Sequence, residues 1–263
     1  MTAIEVPHRI DGRDDAPALI LSNSLGSTMA MWDPQVGPLA EHFRVVRYEH
    51  RGHGDAPVPP GPYELDELGG DLVALMDRLG IERAHVAGLS LGGMVGMWMG
   101  INAPERVDRL VLLCTSAMLS KDHDWGERAR LVREGGTEAI ADAVGARWFT
   151  PEFVEREPEL TTRMKQMIID TPDEGYAGCC GAIEQMDLIP ELQRIQAPTL
   201  VIAGAEDPAT PPRHSERMAE LIPDARLEVV EHAAHLATVE QPEVVTALMR
   251  DHLLAGRVGA PAR

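Results

Sequence analysis

The chain has 263 residues, 44% hydrophobic and 25% charged, which suits one large α/β unit or two small ones and excludes a disordered chain. Its 24 Lys and Arg against 42 Asp and Glu give a formal charge of −18, and without a basic run to offset that field, nucleic acid and acidic membrane surfaces are excluded as partners. The three cysteines, Cys114, Cys179 and Cys180, are odd in number and two are adjacent, so no disulfide framework is expected and a reducing cytoplasm is.

The opening MTAIEVPHRIDG lacks the basic and apolar regions of a signal peptide, and export is not expected. Residues 4–10 read as an antiparallel edge strand. Short β-branched or apolar runs then recur at 18–22, 44–48, 84–87, 109–114, 199–203 and 227–231. Between them, helical spacing of apolar residues predicts helices at 67–79, 91–101, 213–221 and 244–254. This alternation is the signature of a mostly parallel sheet with helices on both faces. The apolar stretch 86–103 is broken by recurrent glycines, Ser90 and Asn102, so a buried strand running into a buried helix explains it without a membrane span.

The alternation fails between Met118 and Ile195, where several helical patterns are broken by Gly and Pro. So long a segment is expected to fold as a helical cap, residues 118–195, inserted into a core formed by 1–117 and 196–263. The small, basic tail GRVGAPAR, residues 256–263, is expected to fray.

Chemistry concentrates at GLSLGG, Gly88–Gly93, which holds G-x-S-x-G with Ser90 at its centre. It follows the strand AHVA and opens a helix rich in small residues, the strand–turn–helix setting of a nucleophile elbow. In that setting Gly88 and Gly92 leave room for the turn and Ser90 presents its hydroxyl; the alternative is a plain glycine turn with a capping serine. A serine is a poor nucleophile at neutral pH, so a histidine base and an acid are required downstream, in the order Ser, Asp, His. Asp207 in GAEDPATP closes the loop after the strand TLVIA, with Glu206 its adjacent competitor. EHAAHLA offers His232 and His235, and His235, in the middle of a small-residue loop, is the better placed base. An oxyanion hole is then expected from the backbone amides of Leu91 and, in the loop SNSLGSTMAMWDP, Leu25.

Together SNSLGSTMAMWDPQ, HRGHG, GLSLGG, GAEDPATP and HAAHLATVEQPE resemble the α/β-hydrolase superfamily in order and spacing, over nearly the whole chain. More narrowly, SNSLG followed by MWDPQ, and RWFTPEF at 147–153, resemble the 3-oxoadipate enol-lactonases, hydrolases of the β-ketoadipate pathway of aromatic catabolism. The resemblance implies an α/β-hydrolase fold with Ser90 as nucleophile, Asp207 as the residue orienting the base, and His235 as general acid and base. It implies the Leu25 and Leu91 amides as oxyanion donors, a helical cap, and no metal or organic cofactor. Asn23 and Ser24 stand where many superfamily members have His-Gly. A Ser rather than an Asp at the nucleophile position sets the chain apart from the related haloalkane dehalogenases. A general carboxylesterase or perhydrolase would share the same triad, and a non-catalytic binding protein could share the same scaffold. There is no G-x-G-x-x-G or G-x-x-x-x-G-K-[ST] motif for a nucleotide.

The proposed substrate is an anionic lactone, which a chain of charge −18 would repel without a local cation. Arg128, Arg130, Arg133 and Arg147 in the insertion can supply it, because an arginine fork binds a carboxylate through two hydrogen bonds. Arg133 and Arg147 are taken as candidate substrate-binding residues, with Trp148 as a candidate pocket wall. Nothing in the sequence sets an oligomeric state.

Overall fold

The protein is described from a computed structural model covering residues 3–119 and 124–255. The tail at 256–263 lies outside the described residues. β1 (His8–Asp11), β2 (Ala18–Ser22), β3 (Arg44–Tyr48), β4 (Ala84–Leu89), β5 (Val107–Leu113), β6 (Thr199–Gly204) and β7 (Ala225–Val230) form one sheet, ordered β1-β3-β2-β4-β5-β6-β7. All neighbouring strands run parallel except β1, which pairs antiparallel with β3 from His8 opposite Tyr48 to Asp11 opposite Val45. Every residue of β4 and β6 is buried, which requires cover on both faces of the sheet.

Each expected strand is present, and the differences lie at the ends. The edge strand starts at His8 instead of Ile4, after Pro7, which has no N–H to give a ladder. β5 stops one residue early because Cys114 turns to φ 42° and leaves the extended conformation.

After β2 the chain forms a short 3-10 turn, Met29–Trp32, and α1 (Asp33–Ala40), neither of which was expected; Gly37 and Pro38 inside α1 hide its helical pattern. α2 (Leu65–Arg78) begins two residues before its first expected turn, where Glu64 and Glu67 form a capping box. α3 (Leu91–Asn102) packs on β2, β4 and β5, and ten of its twelve residues are buried.

Between β5 and β6 the described residues form α4 (Trp125–Gly135), α5 (Glu138–Gly145), α6 (Pro151–Arg156), α7 (Pro158–Asp170) and α8 (Asp173–Gln185). α4 lies against α8 and α5 against α7. α9 (Pro212–Leu221), α10 (Ala237–Glu240) and α11 (Pro242–Leu254) complete the chain, α9 resting on β6 and β7 and α11 on α1.

Candidate active site

Ser90 stands between the end of β4 and the start of α3 with φ 56° and ψ −116°. A non-glycine residue held there costs about 1–3 kcal/mol of backbone strain, and the surroundings enforce it. A Cβ on Gly88 would meet the Gly92 carbonyl oxygen at 2.1 Å, and a Cβ on Gly92 would meet the Ser22 carbonyl oxygen at 2.1 Å. The Ser90 amide donates to the Leu113 carbonyl at 3.0 Å, and the Ser90 carbonyl accepts from the Thr115 hydroxyl at 2.7 Å.

The two acids and two histidines that the sequence offers sort into two pairs. Asp207 is buried and accepts a 2.8 Å hydrogen bond from His235 Nδ1. Its other partners are the amides of Ala209 and Thr210, at 2.8 and 3.0 Å, and the Thr210 hydroxyl at 2.7 Å. Burial would raise the Asp207 carboxyl, but the charge and hydrogen bond of His235 and the donors of Thr210 outweigh it and hold the group below its ordinary value. Glu206 and His232 form the other pair, 4.0 Å apart with side chains 53% and 79% exposed. Of the four, His235 lines the cavity that Ser90 lines, and Asp207 stands behind it. With Nδ1 of His235 engaged by Asp207, Nε2 is the ring nitrogen that Asp207 leaves unengaged, and both His235 and Ser90 line the same cavity.

The loop after β2 lies along the same cavity through Ser24 and Leu25. The Ser24 amide points to Met31 Sδ at 3.3 Å, the Gly26 amide donates to His53 Nε2 at 2.9 Å, and the Ser27 amide donates to the Ser24 carbonyl at 3.2 Å. Among the described residues, Leu25 is the member of this run whose amide takes no protein partner. Leu91 is the first residue of α3, where an amide has no intrahelical acceptor.

The segment Glu49–Gly54 holds this loop in place, a role that sequence reading did not assign. Asn23 Nδ2 donates to the Tyr48 carbonyl at 2.8 Å and to Glu49 at 3.1 Å, His50 Nε2 lies 3.1 Å from the Asn23 carbonyl, and Glu49 accepts from the Met29 amide. Because His53 Nε2 accepts from Gly26, its Nδ1 carries the proton and donates to the Arg51 carbonyl at 3.2 Å. Burial lowers His53 to about 4 and His50 to about 3, so both rings are neutral at neutral pH. The visible signal was HRGHG itself, two histidines in a glycine-bearing turn.

Opposite the sheet the cavity is lined by the helical segment between β5 and β6, through Trp125, Arg128, Val144, Arg147, Trp148 and Tyr176. Of the residues singled out in the sequence, Arg147 and Trp148 line it. Arg133 does not: its guanidinium donates to Glu174 at 2.8 and 3.1 Å, and that carboxylate is fixed by the Gly61 amide at 2.8 Å. Arg130 is likewise engaged on the surface, by Glu127 and Glu134. The second cation at the cavity is Arg128, stacked 4.5 Å over the Trp125 ring. Neither Arg128 nor Arg147 forms a salt bridge among the described residues. Burial, with Arg128 adding repulsion, lowers the Arg147 guanidinium from its ordinary value.

Among the described residues no cluster of His, Cys, Asp and Glu could hold a metal ion, and no helix is long and apolar enough to cross a membrane.

The chain is similar to known proteins over most of its length. The chain is 43% identical over 232 residues to 3-oxoadipate enol-lactonase 2 of Acinetobacter baylyi (strain ATCC 33305 / BD413 / ADP1), covering 88% of this chain and 86% of that one. The crystal structure of the enol-lactonase from Burkholderia xenovorans LB400 superimposes with a TM-score of 0.91 at 40% identity, covering 94% of this chain and 96% of that one. A thermophilic esterase from Thermogutta terrifontis superimposes with a TM-score of 0.89 at 29% identity, covering 94% and 92%. Residues 17–242 match the family described as alpha/beta hydrolase fold, and with the sheet order, the elbow at Ser90 and the buried Asp207–His235 pair in place, the chain belongs to that family.

Proposed function

We propose that this protein is a serine hydrolase that opens a carboxylated enol-lactone, of the 3-oxoadipate enol-lactone type, to the open-chain dicarboxylate. The observation that carries the reading is one cavity lined at once by Ser90, by His235 hydrogen-bonded to Asp207, and by two guanidinium groups, Arg128 and Arg147, that form no salt bridge among the described residues. In a chain of charge −18 a pair of arginines facing one cavity favours an anion there. Two relatives, from Acinetobacter baylyi and Burkholderia xenovorans, are named as enol-lactonases, which supports the reading, while others are named as an esterase or as putative carbamate hydrolases.

In the proposed reaction Ser90 Oγ attacks the lactone carbonyl while His235 Nε2 takes its proton, and the amides of Leu25 and Leu91 receive the developing oxyanion. The ring C–O bond breaks, the ring oxygen takes the proton from His235, and the resulting enol tautomerises to a ketone. A water deprotonated by His235 then cleaves the acyl-serine ester, giving a carboxylate and restoring Ser90. Asp207 keeps the imidazole in the required tautomer. Residues 118–195 act as the cap over a core of 1–117 and 196–263, with Trp148 as a wall and Arg147 and Arg128 as the anion clamp. The substrate is a small molecule, the place of action the cytoplasm, and the pathway the β-ketoadipate route.

The test is the ultraviolet decay of the enol-lactone with the wild type and with Ser90→Ala, coupled to mass spectrometry of an enzyme quenched during turnover. The expected result is rapid decay with an adduct of lactone mass on the Ser90 peptide, both lost in the variant. Decay that persists in Ser90→Ala would remove the nucleophile assignment.

A further inference from the structure

The loop that carries His235 is tied to the segment that carries Arg147 and Trp148, and one buried side chain makes most of the tie. Glu240, the last residue of α10, is 3% exposed. Its Oε2 accepts the Ala234 amide at 2.8 Å, one residue before His235. Its Oε1 accepts the Thr150 amide at 3.0 Å and the Thr150 hydroxyl. One residue after His235, the Leu236 amide donates to the Trp148 carbonyl at 2.9 Å. The two neighbours of His235 in the chain are therefore pinned, on either side, to residues 148–150 of the insertion.

We infer that Glu240 is a positioning residue that fixes His235 against the anion-recognising segment 147–150, so that a substrate held by Arg147 presents its carbonyl in register with the base. This rests on the function proposed above. The chemistry favours Glu240 for the task. Three donors converge on two oxygens, each short enough to count, in a site with little water to replace them. Glutamine has one acceptor oxygen and one NH₂ group; the two donors of Thr150 claim the oxygen, so in Glu240→Gln the Ala234 amide faces the NH₂ group. Thr150 also caps α6 through the Phe153 amide at 3.3 Å, which gives the tie a rigid anchor on the insertion side.

The two ends of the tie have separable readouts. Loss at the Ala234 end disturbs the base for every substrate, whereas loss at the Thr150 end disturbs only substrates that use Arg147. We would measure kcat and KM for Glu240→Gln, Thr150→Val and Thr150→Ser on the carboxylated enol-lactone and on p-nitrophenyl acetate, with folded enzyme counted by active-site titration. For Glu240→Gln the expected loss in kcat is about 10- to 100-fold on both substrates per folded enzyme, the range for a broken hydrogen bond to a charged group. For Thr150→Val the neutral ester should be unaffected while KM for the lactone rises, and Thr150→Ser, which keeps the hydroxyl, should restore it. Wild-type kcat in Glu240→Gln, or a loss that follows the folded fraction alone, would overturn the inference. If Glu240→Gln does not fold, the threonine pair decides: equal lactone kinetics in the Val and Ser variants would also overturn it. Should the wild type ignore the lactone, the substrate reading fails by itself, and the neutral-ester arm still judges Glu240.

Discussion

Ser90 and its glycines were legible in the sequence because the elbow is local: six consecutive residues specify a turn in which a Cβ at Gly88 or Gly92 has no room. Ser90→Ala keeps that turn and removes only the hydroxyl, so turnover should fall by several orders of magnitude with an unchanged melting midpoint. His235→Ala should fall comparably, and His232→Ala, which removes an exposed side chain 4.0 Å from Glu206, should cost little; steady-state assay of the two would contradict the pairing if the order reversed. The arginines were less legible. At about 100° per residue, Arg128 and Arg133 flank the apolar stripe of Trp125, Ala129 and Val132 on opposite edges of α4. Sequence periodicity treats those edges alike, and only the packing of α4 on α8 sends one to the cavity and the other to Glu174. Arg128→Ala and Arg147→Ala should each weaken turnover of a carboxylated lactone by about 1.5–3 kcal/mol in kcat/KM and leave a neutral ester nearly unchanged, whereas Arg133→Ala should treat the two alike. Equal effects on both substrates in all three variants would place anion recognition elsewhere.

Among the elements, the loop after β2 shows how a binding geometry is set from outside itself. Its glycine gives it φ 72° at Gly26, but its position depends on His53, whose Nε2 holds the Gly26 amide next to Leu25. His53→Ala should therefore lower kcat by about tenfold or more, within the range for a disturbed oxyanion donor, with a smaller change in KM. Steady-state kinetics with unchanged kcat would separate His53 from the oxyanion geometry. The strands and the helices packed on them were readable because their apolar periodicity reports a burial that the sheet supplies. The helix α1 and the boundaries within 118–195 were not. α1 carries Pro38 and Gly37, and the inserted helices are stabilised by packing on one another and over the cavity, which no short window records. Glu240 escaped notice for the same reason: its partner Thr150 is 90 residues away.

The molecule as a whole keeps several histidines neutral inside a strongly acidic chain. Burial lowers His50 to about 3, His53 to about 4 and His252 to about 4, from an unfolded value near 6.5. Groups with lowered pKa bind fewer protons when folded, so their contribution is complete above the unfolded value and is lost as pH falls from about 6.5 towards 4. Asp207, also lowered, loses its contribution in the same direction below the carboxylate range. Glu49, which burial raises to about 7, works the other way, its contribution being present below its unfolded value and lost as pH rises through about 7. Three histidines outweigh one carboxyl, so thermal denaturation at pH 7.5 and pH 5 should show a lower midpoint at pH 5; a flat or rising midpoint would mean that these rings are not held neutral.

The central claim, a serine hydrolase built to receive an anionic lactone, is tested most directly by one ratio: kcat/KM for the carboxylated enol-lactone over kcat/KM for a neutral aryl ester of similar size, in the wild type. A site with two guanidinium groups facing the substrate predicts a ratio of about a hundredfold or more in favour of the lactone, collapsing in Arg147→Ala. A ratio near one, or in favour of the neutral ester, would contradict it and leave a general esterase on the same scaffold.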